Sequence, residues 1–363
     1  MKNLGGATER LTTGTRDYSF ITFLGVVRAV GSLIERPRVL TEDYVPDSFV
    51  HREGEHQEIA DNLRPMMDGE PPQDMLLHGP PGVGKTAMSR FVVRKMKEEV
   101  DVREAYVNGF RARTRFEVFY SLLDEPAKVP RDGTSTSKVV EEFKDRARSR
   151  DTVIVVDEVD QLRDDEILYE LSRFRRSGVI YIANDPLVFS RFEDRVRSRL
   201  GDVAKMEFTR YSSSELSDIL RHRASNALRD GAVSDKEIDL IVSRAEGDAR
   251  IAISSLKKAS YAAQDRDLDI ITRGVVEESV KQAYSEDRID SLDRLNEHQK
   301  QVYRTLQRSD SPMGMGQLFD TYRTEMDDPR SRRTLRRYIR KMEAYGIVEA
   351  EGEKSARTYS LAD

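Results

Sequence analysis

The stretch from His78 to Arg90, HGPPGVGKTAMSR, restricts the fold of this chain more than any other part of its sequence. It follows the apolar residues DMLL, which are typical of a buried strand, and it precedes FVVRKMKEEV, which is typical of a helix. A glycine-rich loop in this context turns successive backbone N–H groups inward at the positive end of a helix dipole. The sequence therefore predicts a phosphate-binding loop in an α/β fold.

The loop matches the complete pattern GxxxxGK[ST], in which each position has a physical role. Lys85 is expected to reach the β- and γ-phosphates of ATP or ADP, and the Thr86 hydroxyl is expected to bind Mg²⁺. The predicted nucleotide contacts in this segment are Gly79, Pro80, Pro81, Gly82, Val83, Gly84, Lys85, Thr86 and Ala87.

Short apolar runs alternate with helical patterns between residues 34 and 208. These runs are rich in valine and isoleucine and lack polar alternation, which is typical of strands buried on both faces of a parallel sheet. They read MLLH, EAYVN, VIVVDE, VIYIAN and KMEF. Repeated strand–helix units of this kind predict a doubly wound α/β domain.

The rest of the chain predicts two further domains. Residues 209–285 contain helical patterns only, and the first of these helices is expected to have Ser213 or Ser214 as its N-cap. Residues 290–363 contain three helical patterns followed by two strand-like runs around a turn that contains glycine. That order is typical of a winged helix-turn-helix domain.

Composition and the N-terminal segment exclude several classes of protein. The chain contains no cysteine and five scattered histidines, which excludes disulfides and thiolate zinc sites and favours the cytoplasm. The apolar stretch from Tyr18 to Ile34 is interrupted by Arg28 and is short for a membrane span, so we expect no membrane association. We interpret residues 1–33 as an uncertain and non-essential segment.

Polar residues at the ends of two later strands complete a predicted nucleotide site. Four apolar residues lead to Asp157 and Glu158, at the edge of an open α/β sheet where ligands bind. Asp157 is expected to hold Mg²⁺, and Glu158 is expected to polarise the attacking water. Asn184, at the end of VIYIAN, is placed to orient that water or to touch the γ-phosphate. In the helical domain, Arg250 of GDAR is placed to reach the same phosphate.

Three arginines, Arg195, Arg197 and Arg199, follow the fourth strand in EDRVRSRL. One of them is a candidate arginine finger that would act on the nucleotide of a neighbouring subunit. A solvated basic face would explain the same pattern.

The segment 329–341, PRSRRTLRRYIRK, contains seven arginine or lysine residues and no acidic residue. In a helix of ~3.6 residues per turn, Leu335, Ile339 and Met342 form one apolar stripe. Packing of that stripe would leave arginines free to contact DNA phosphates or guanine edges. The predicted DNA contacts here are Arg332, Arg333, Arg336 and Arg337, with Arg357 in the following hairpin.

Together these motifs resemble the AAA+ ATPases and, within them, the archaeal origin-recognition type replication initiators. The resemblance covers residues 34–363 and is carried by VLTEDYVPDSFVHREGE, YVNG, DEVDQL, YIAND, RVRSRL and GDARIAI, followed by the winged-helix pattern. It implies an AAA+ domain, a helical lid and slow, regulatory ATP hydrolysis in a cytoplasmic, nucleoid-associated protein. The implied partners are double-stranded origin DNA, the replicative helicase and other initiator paralogues.

The resemblance also implies roles for individual residues. Val45, with the region around His51 and Arg52, would lie near the adenine, and Tyr211 and Arg223 would border the nucleotide. Sensor one and sensor two would be Asn184 and Arg250.

Two further implications concern the arginines of the α/β domain. Arg199 matches the arginine-finger position better than its two neighbours do. The family carries an additional DNA-contacting insertion, and the candidate here is the stretch 111–137, which includes Arg131.

Two other functions account for parts of the same sequence. A transcription regulator that uses the ATPase as a switch would be expected to carry an additional sensor or repeat domain. A clamp-loader-like ATPase would be expected to end in an all-helical oligomerisation collar. Neither pattern is found in the sequence, and both observations favour the initiator.

Overall fold

A five-stranded parallel sheet forms the centre of the first half of the chain. The computed structural model describes residues 32–123, 129–174, 176–352 and 356–362. The strands are β1 Met75–His78, β2 Arg103–Asn108, β3 Thr152–Asp157, β4 Ser177–Ala183 and β5 Ala204–Glu207. Their order in the sheet is β2-β3-β4-β1-β5, with every neighbouring pair parallel. The predicted α/β fold with five strands is confirmed.

Helices cover both faces of this sheet. Ile154 and Val156 of β3 pack in the hydrophobic core on one face, while Val153 and Val155 pack in the core on the other. Because both faces are covered, the strand is apolar at every position and not only at alternate ones. The helices are α1 Glu53–Leu63, α2 Lys85–Glu99, α3 Arg115–Ser121, α4 Thr136–Ser149, α5 Asp165–Leu171 and α6 Asp194–Arg199.

Four helices follow the sheet and share one hydrophobic core. They are α7 Ser213–Ala227, α8 Asp235–Ala245, α9 Ala249–Asp265 and α10 Arg273–Asp293. The N-cap predicted at Ser213 or Ser214 is wrong, because the last residue with an extended backbone before α7 is Ser212. The Ser212 hydroxyl accepts a hydrogen bond from the Glu215 backbone N–H, and the Glu215 carboxylate accepts one from the Ser212 backbone N–H. This capping box fixes where α7 begins.

Residues 33–44 pack against these four helices and not against the sheet. Leu33 is 2% exposed within the helical core, and Ile34 forms an antiparallel bridge with Leu228. Leu33 is therefore part of the helical core, and the interpretation of residues 1–33 as non-essential stays a prediction. Residues 1–31 lie outside the described residues.

The C-terminal domain contains three helices and a small antiparallel sheet. They are α11 Glu297–Gln307, α12 Met315–Glu325, α13 Arg332–Ala344, β6 Met313–Gly314, β7 Val348–Glu351 and β8 Thr358–Leu361. The strand order is β6-β8-β7. Leu335, Ile339 and Met342 of α13 are fully buried, which confirms the predicted apolar stripe. In the described part of the chain, no helix is both long and apolar enough to span a membrane.

Candidate nucleotide-binding site

The phosphate loop follows β1, at the edge of the sheet where all five parallel strands end. Its strand, β1, pairs with β4 on one side and β5 on the other. A Cβ atom at Gly84 (φ 90°) would lie 2.8 Å from the Tyr211 hydroxyl, and one at Gly82 (φ 73°) would lie 1.8 Å from Asp248 Oδ1. Tyr211 precedes α7 and Asp248 caps α9. The four-helix region therefore closes directly over the loop, and larger residues would not fit at either position.

Lys85, the first residue of α2, has its ammonium group buried within the loop. Its Nζ donates to the carbonyls of Gly79 and Pro80, both at 2.7 Å, and to Asn184 Oδ1 at 3.2 Å. Burial lowers the pKa of Lys85 to about 8, although the Asp157 carboxylate opposes that shift. Phosphate oxygens are stronger acceptors than carbonyls, so this ammonium is placed to transfer its hydrogen bonds to a bound phosphate.

Asp157 and Thr86 meet beside the loop. Asp157 Oδ2 accepts a hydrogen bond from the Thr86 hydroxyl at 2.9 Å, and Oδ1 accepts one from the Glu158 backbone N–H at 2.9 Å. Burial raises the pKa of Asp157, whereas these hydrogen bonds and Lys85 lower it. One carboxylate and one hydroxyl, both oxygen donors, fit the preference of Mg²⁺ for a few hard ligands completed by phosphates and water.

Tyr106 is a member of this cluster that sequence reasoning missed. Its hydroxyl donates to Asp157 Oδ2 at 3.0 Å from the neighbouring strand β2. Burial and the Asp157 carboxylate both raise the pKa of Tyr106, so the phenol stays neutral and acts as a donor. The only signal was a tyrosine within the apolar run EAYVN.

Glu158 follows β3 in a left-handed backbone conformation, with φ 49° and ψ 45°. Its side chain is 17% exposed, and its Oε1 lies 3.0 Å from Nη1 of Arg294. Burial raises the pKa of Glu158, and Arg294 is the strongest influence that lowers it. The sequence contained no signal for Arg294, which lies 136 residues further along the chain.

The start of α9 contacts the phosphate loop from the opposite side. The Ala249 backbone N–H donates to the Gly82 carbonyl at 2.9 Å. The next residue, Arg250, places Nη1 2.8 Å from Asp287 Oδ1 and Nη2 3.5 Å from Asp248 Oδ2. Arg250 is thus held beside the loop by carboxylates.

Four residues that the resemblance places around the nucleotide lie near the junction of α7 with the N-terminal segment. The Arg52 guanidinium lies 4.3 Å from the centre of the Tyr211 ring, a contact that sequence reasoning missed. Arg223 is buried, and its Nη2 donates to the Tyr44 carbonyl at 3.1 Å. The neighbouring Val45 carbonyl accepts from Arg94 at 3.2 Å. Arg223 thus anchors the segment that carries Val45, and the nucleotide contacts of all four residues stay predictions.

Two parts of the chain match known family sequences. Residues 48–179 match the AAA ATPase domain, and residues 217–285 match the Cdc6 AAA+ ATPase-type lid domain. These matches confirm the predicted AAA+ domain and helical lid.

A curated relative matches almost the whole chain. The ORC1-type DNA replication protein 9 of Halobacterium salinarum is 36% identical over 336 residues, covering 91% of this chain and 94% of the relative. The chain belongs to the ORC1-type DNA replication protein family. The ORC1-type DNA replication protein 1 of the same organism is 34% identical and covered along 100% of its length. The predicted resemblance to origin-recognition type initiators is confirmed.

Solved structures of archaeal ORC proteins share this fold. The Aeropyrum pernix ORC1 protein in complex with DNA has a TM-score of 0.69 and 28% identity, with 92% of this chain and 94% of that chain covered. The Aeropyrum pernix ORC2 protein, solved as ADPNP and ADP complexes, has a TM-score of 0.65 at 22% identity, covering 91% of this chain and 94% of that one.

In this ORC1-type chain the three candidate finger arginines differ in their contacts. Arg195 pairs with Glu166 at 2.7 Å, and Arg197 pairs with Asp194. Arg199 is exposed and donates only a long hydrogen bond, 3.5 Å, to the Ser172 carbonyl. Within the described residues, Arg199 has no carboxylate within 4 Å, although its charge opposes the rise that burial causes in the pKa of Asp74. Its role as a finger stays a prediction.

The predicted DNA-contacting arginines are all on the surface. Arg357 is paired with Glu343 at 2.6 Å, and the Arg131 guanidinium lies 5.7 Å from the centre of the Tyr120 ring. Residues 124–128 of the predicted insertion lie outside the described residues. The arginines of α13 are exposed and have no carboxylate partner among the described residues. They are Arg332, Arg333, Arg336, Arg337 and Arg340.

Proposed function

We propose that this chain is an ATP-dependent replication initiator that binds double-stranded origin DNA. The observation that carries the proposal is the face of exposed arginines on α13, which have no carboxylate partner in the part of the chain that the structure describes, in a chain whose lid closes over a phosphate loop. An Aeropyrum pernix relative at 28% identity was solved in complex with DNA, which supports the same role here. The C-terminal domain would then be a winged helix that inserts α13 into the major groove.

The nucleotide site would divide its work among six side chains. Lys85 binds the β- and γ-phosphates, and Thr86 with Asp157 would hold Mg²⁺, which neutralises phosphate charge when bound. Glu158 accepts the proton of the attacking water. Asn184 and Arg250 contact the γ-phosphate from β4 and from the lid.

The remaining parts of the proposal concern organisation and partners. The AAA+ domain would span residues 34–208, the lid 209–285 and the winged helix 290–363, with residues 33–44 folded back onto the lid. Hydrolysis would be slow and regulatory, and the nucleotide state would control contacts with the replicative helicase and with other initiator paralogues.

The affinity for ATP is expected to fall at alkaline pH. The pKa of Lys85 is about 8 in the free protein, and bound phosphates raise it further, because an opposite charge favours the protonated form. The affinity for ATP is therefore highest below pH 8. Above pH 8 it falls about tenfold for each pH unit, until the pH reaches the pKa of Lys85 in the ATP complex. Calorimetry should give a Kd roughly thirty-fold higher at pH 9.5 than at pH 7, with proton uptake. A constant Kd across this range would contradict the assignment.

Mapping of the protein on the chromosome tests the proposed function directly. We expect chromatin immunoprecipitation from the source organism to give peaks at replication origins, and these peaks should weaken in cells that carry Lys85→Ala. Peaks confined to promoters would favour the transcription regulator instead. Recruitment only to primer–template junctions would favour the clamp-loader-like ATPase.

A further inference from the structure

Helix α10 passes close to the proposed catalytic groups on its way from the lid to the C-terminal domain. It contains 21 residues, and Arg294 is its C-cap. Asp287 and Arg294 are seven residues apart, which is about two turns or ~10.5 Å along the axis, so both lie on the same face. That face is directed toward the phosphate loop, because Asp287 pairs with Arg250 and Arg294 pairs with Glu158.

The Arg294–Glu158 ion pair holds the proposed general base. Arg294 Nη1 lies 3.0 Å from Glu158 Oε1, and the two side chains are only 28% and 17% exposed. The Arg294 guanidinium also lies 5.7 Å from the centre of the Phe110 ring, which limits its freedom to move away. A carboxylate oxygen that accepts a charge-assisted hydrogen bond from a guanidinium is held in place and is not directed at a water molecule.

The C-terminal domain holds the same segment from its other side. Lys341 of α13 pairs with Asp160 at 2.6 Å, and the Gln161 side chain donates to the Tyr345 hydroxyl at 3.3 Å. Tyr345 is buried in this contact, at 7% exposure. Asp160 and Gln161, which follow Glu158, are therefore docked on the C-terminal domain. The Arg294–Glu158 ion pair thus depends on the position of that domain.

The charges on α10 are opposite to those of the two proposed catalytic groups. Asp287 places a carboxylate 2.8 Å from Arg250, and Arg294 places a guanidinium on Glu158. Each ion pair engages a side chain that ATP hydrolysis would require in another contact. Arg250 would be required at the γ-phosphate, and Glu158 would be required at the attacking water. One helix thus engages both groups while the C-terminal domain is docked.

We propose that α10 restrains ATP hydrolysis, with Arg294 as the positioning residue that holds Glu158 away from the attacking water. The restraint lasts while Lys341 and Tyr345 keep the C-terminal domain docked on residues 160 and 161. This inference rests on the proposed function, because it requires Glu158 to be the general base.

Replacement of Arg294 by alanine tests the restraint. We expect kcat for ATP hydrolysis to rise about tenfold, equivalent to about 1.4 kcal/mol. The KM for ATP should be unchanged, because the described contacts of Arg294 are with Glu158 and Phe110 and not with the phosphate loop. Arg294→Lys keeps the positive charge and should stay within about twofold of wild type. Lys341→Ala should also raise kcat, since it loosens the docked segment. A kcat of Arg294→Ala equal to or below wild type would overturn the inference.

Two further variants separate this inference from the proposed function. Arg273→Ala removes an exposed arginine, paired with Glu277, from the other end of α10 and should leave kcat unchanged. Glu158→Gln should abolish hydrolysis both alone and combined with Arg294→Ala. If Glu158→Gln alone retains wild-type hydrolysis, the proposed role of Glu158 fails. If it is inactive while Arg294→Ala shows no gain, only the restraint fails.

Discussion

Replacement of Lys85 by alanine is expected to weaken ATP binding at pH 7.5 by roughly thirty-fold to several thousand-fold. Removal of one partner from a buried, hydrogen-bonded charge pair costs about 2–5 kcal/mol, and every ~1.4 kcal/mol is tenfold in affinity. Lys85 meets this condition, because its ammonium is buried and is aimed from the first residue of α2 into the loop. Titration calorimetry with a non-hydrolysable ATP analogue measures the loss directly.

The free protein should remain folded after this change. In the free protein Lys85 bonds to the carbonyls of Gly79 and Pro80. Burial of its charge is unfavourable, as its pKa lowered to about 8 indicates, so removal of the charge offsets the loss of these hydrogen bonds. Thermal unfolding without nucleotide should therefore be close to wild type, while the stabilisation by added ATP should disappear, because that stabilisation follows the affinity.

Lys95→Ala is the matched control for this variant. Lys95 lies on the same helix, α2, and its side chain is 44% exposed and paired with Glu98. Its removal takes away the same charge without touching the loop, so ATP affinity should stay within about twofold of wild type. A Lys85→Ala protein that binds ATP as tightly as this control would show that the loop does not bind the phosphates.

The nucleotide site could be predicted where its chemistry follows from one continuous motif. The loop pattern requires a strand before it and a helix after it, and both are present. Asn184 lies beside Lys85 because β4 and β1 are neighbours, and the carboxyl ends of parallel strands meet at one edge. The apolar stripe of α13 followed from helical periodicity alone.

Other features depend on contacts that no local pattern encodes. Tyr106 reaches Asp157 only because β2 and β3 pair in one particular register. Arg294 reaches Glu158 through the packing of α10 and of the C-terminal domain. The apolar pattern around Leu33 could not show that this residue packs in the lid core, because the neighbouring Ile34 bridges Leu228, which lies 194 residues further along the chain.

Substitution of four α13 arginines by alanine is expected to weaken binding to duplex DNA by on the order of a thousand-fold at 0.1 M salt. Each phosphate contact contributes about 0.9 to the slope of log affinity against log salt, so four lost contacts reduce that slope by about 3.6. The substituted residues are Arg332, Arg333, Arg336 and Arg337. Fluorescence anisotropy of a labelled duplex across a salt series measures both quantities.

The fold of the variant should be unaffected, because the substituted side chains are exposed and alanine is the strongest helix former. The buried stripe of Leu335, Ile339 and Met342 still attaches α13 to its domain. Lys341 is kept, so the contact with Asp160 also remains. A loss of DNA affinity without a change in thermal unfolding would therefore report on DNA contacts.

A second variant removes the same total charge from other parts of the surface. Four exposed arginines outside α13 each have a carboxylate partner, which leaves them less free to bind phosphate. They are Arg64, Arg148, Arg176 and Arg273. Net charge acts on association only through the long-range electrostatic field, which salt screens within ~10 Å at 0.1 M. This variant should therefore lose less than about tenfold in DNA affinity and keep most of its slope of log affinity against log salt. Equal losses in the two variants would mean that net charge, and not the α13 face, attracts the DNA.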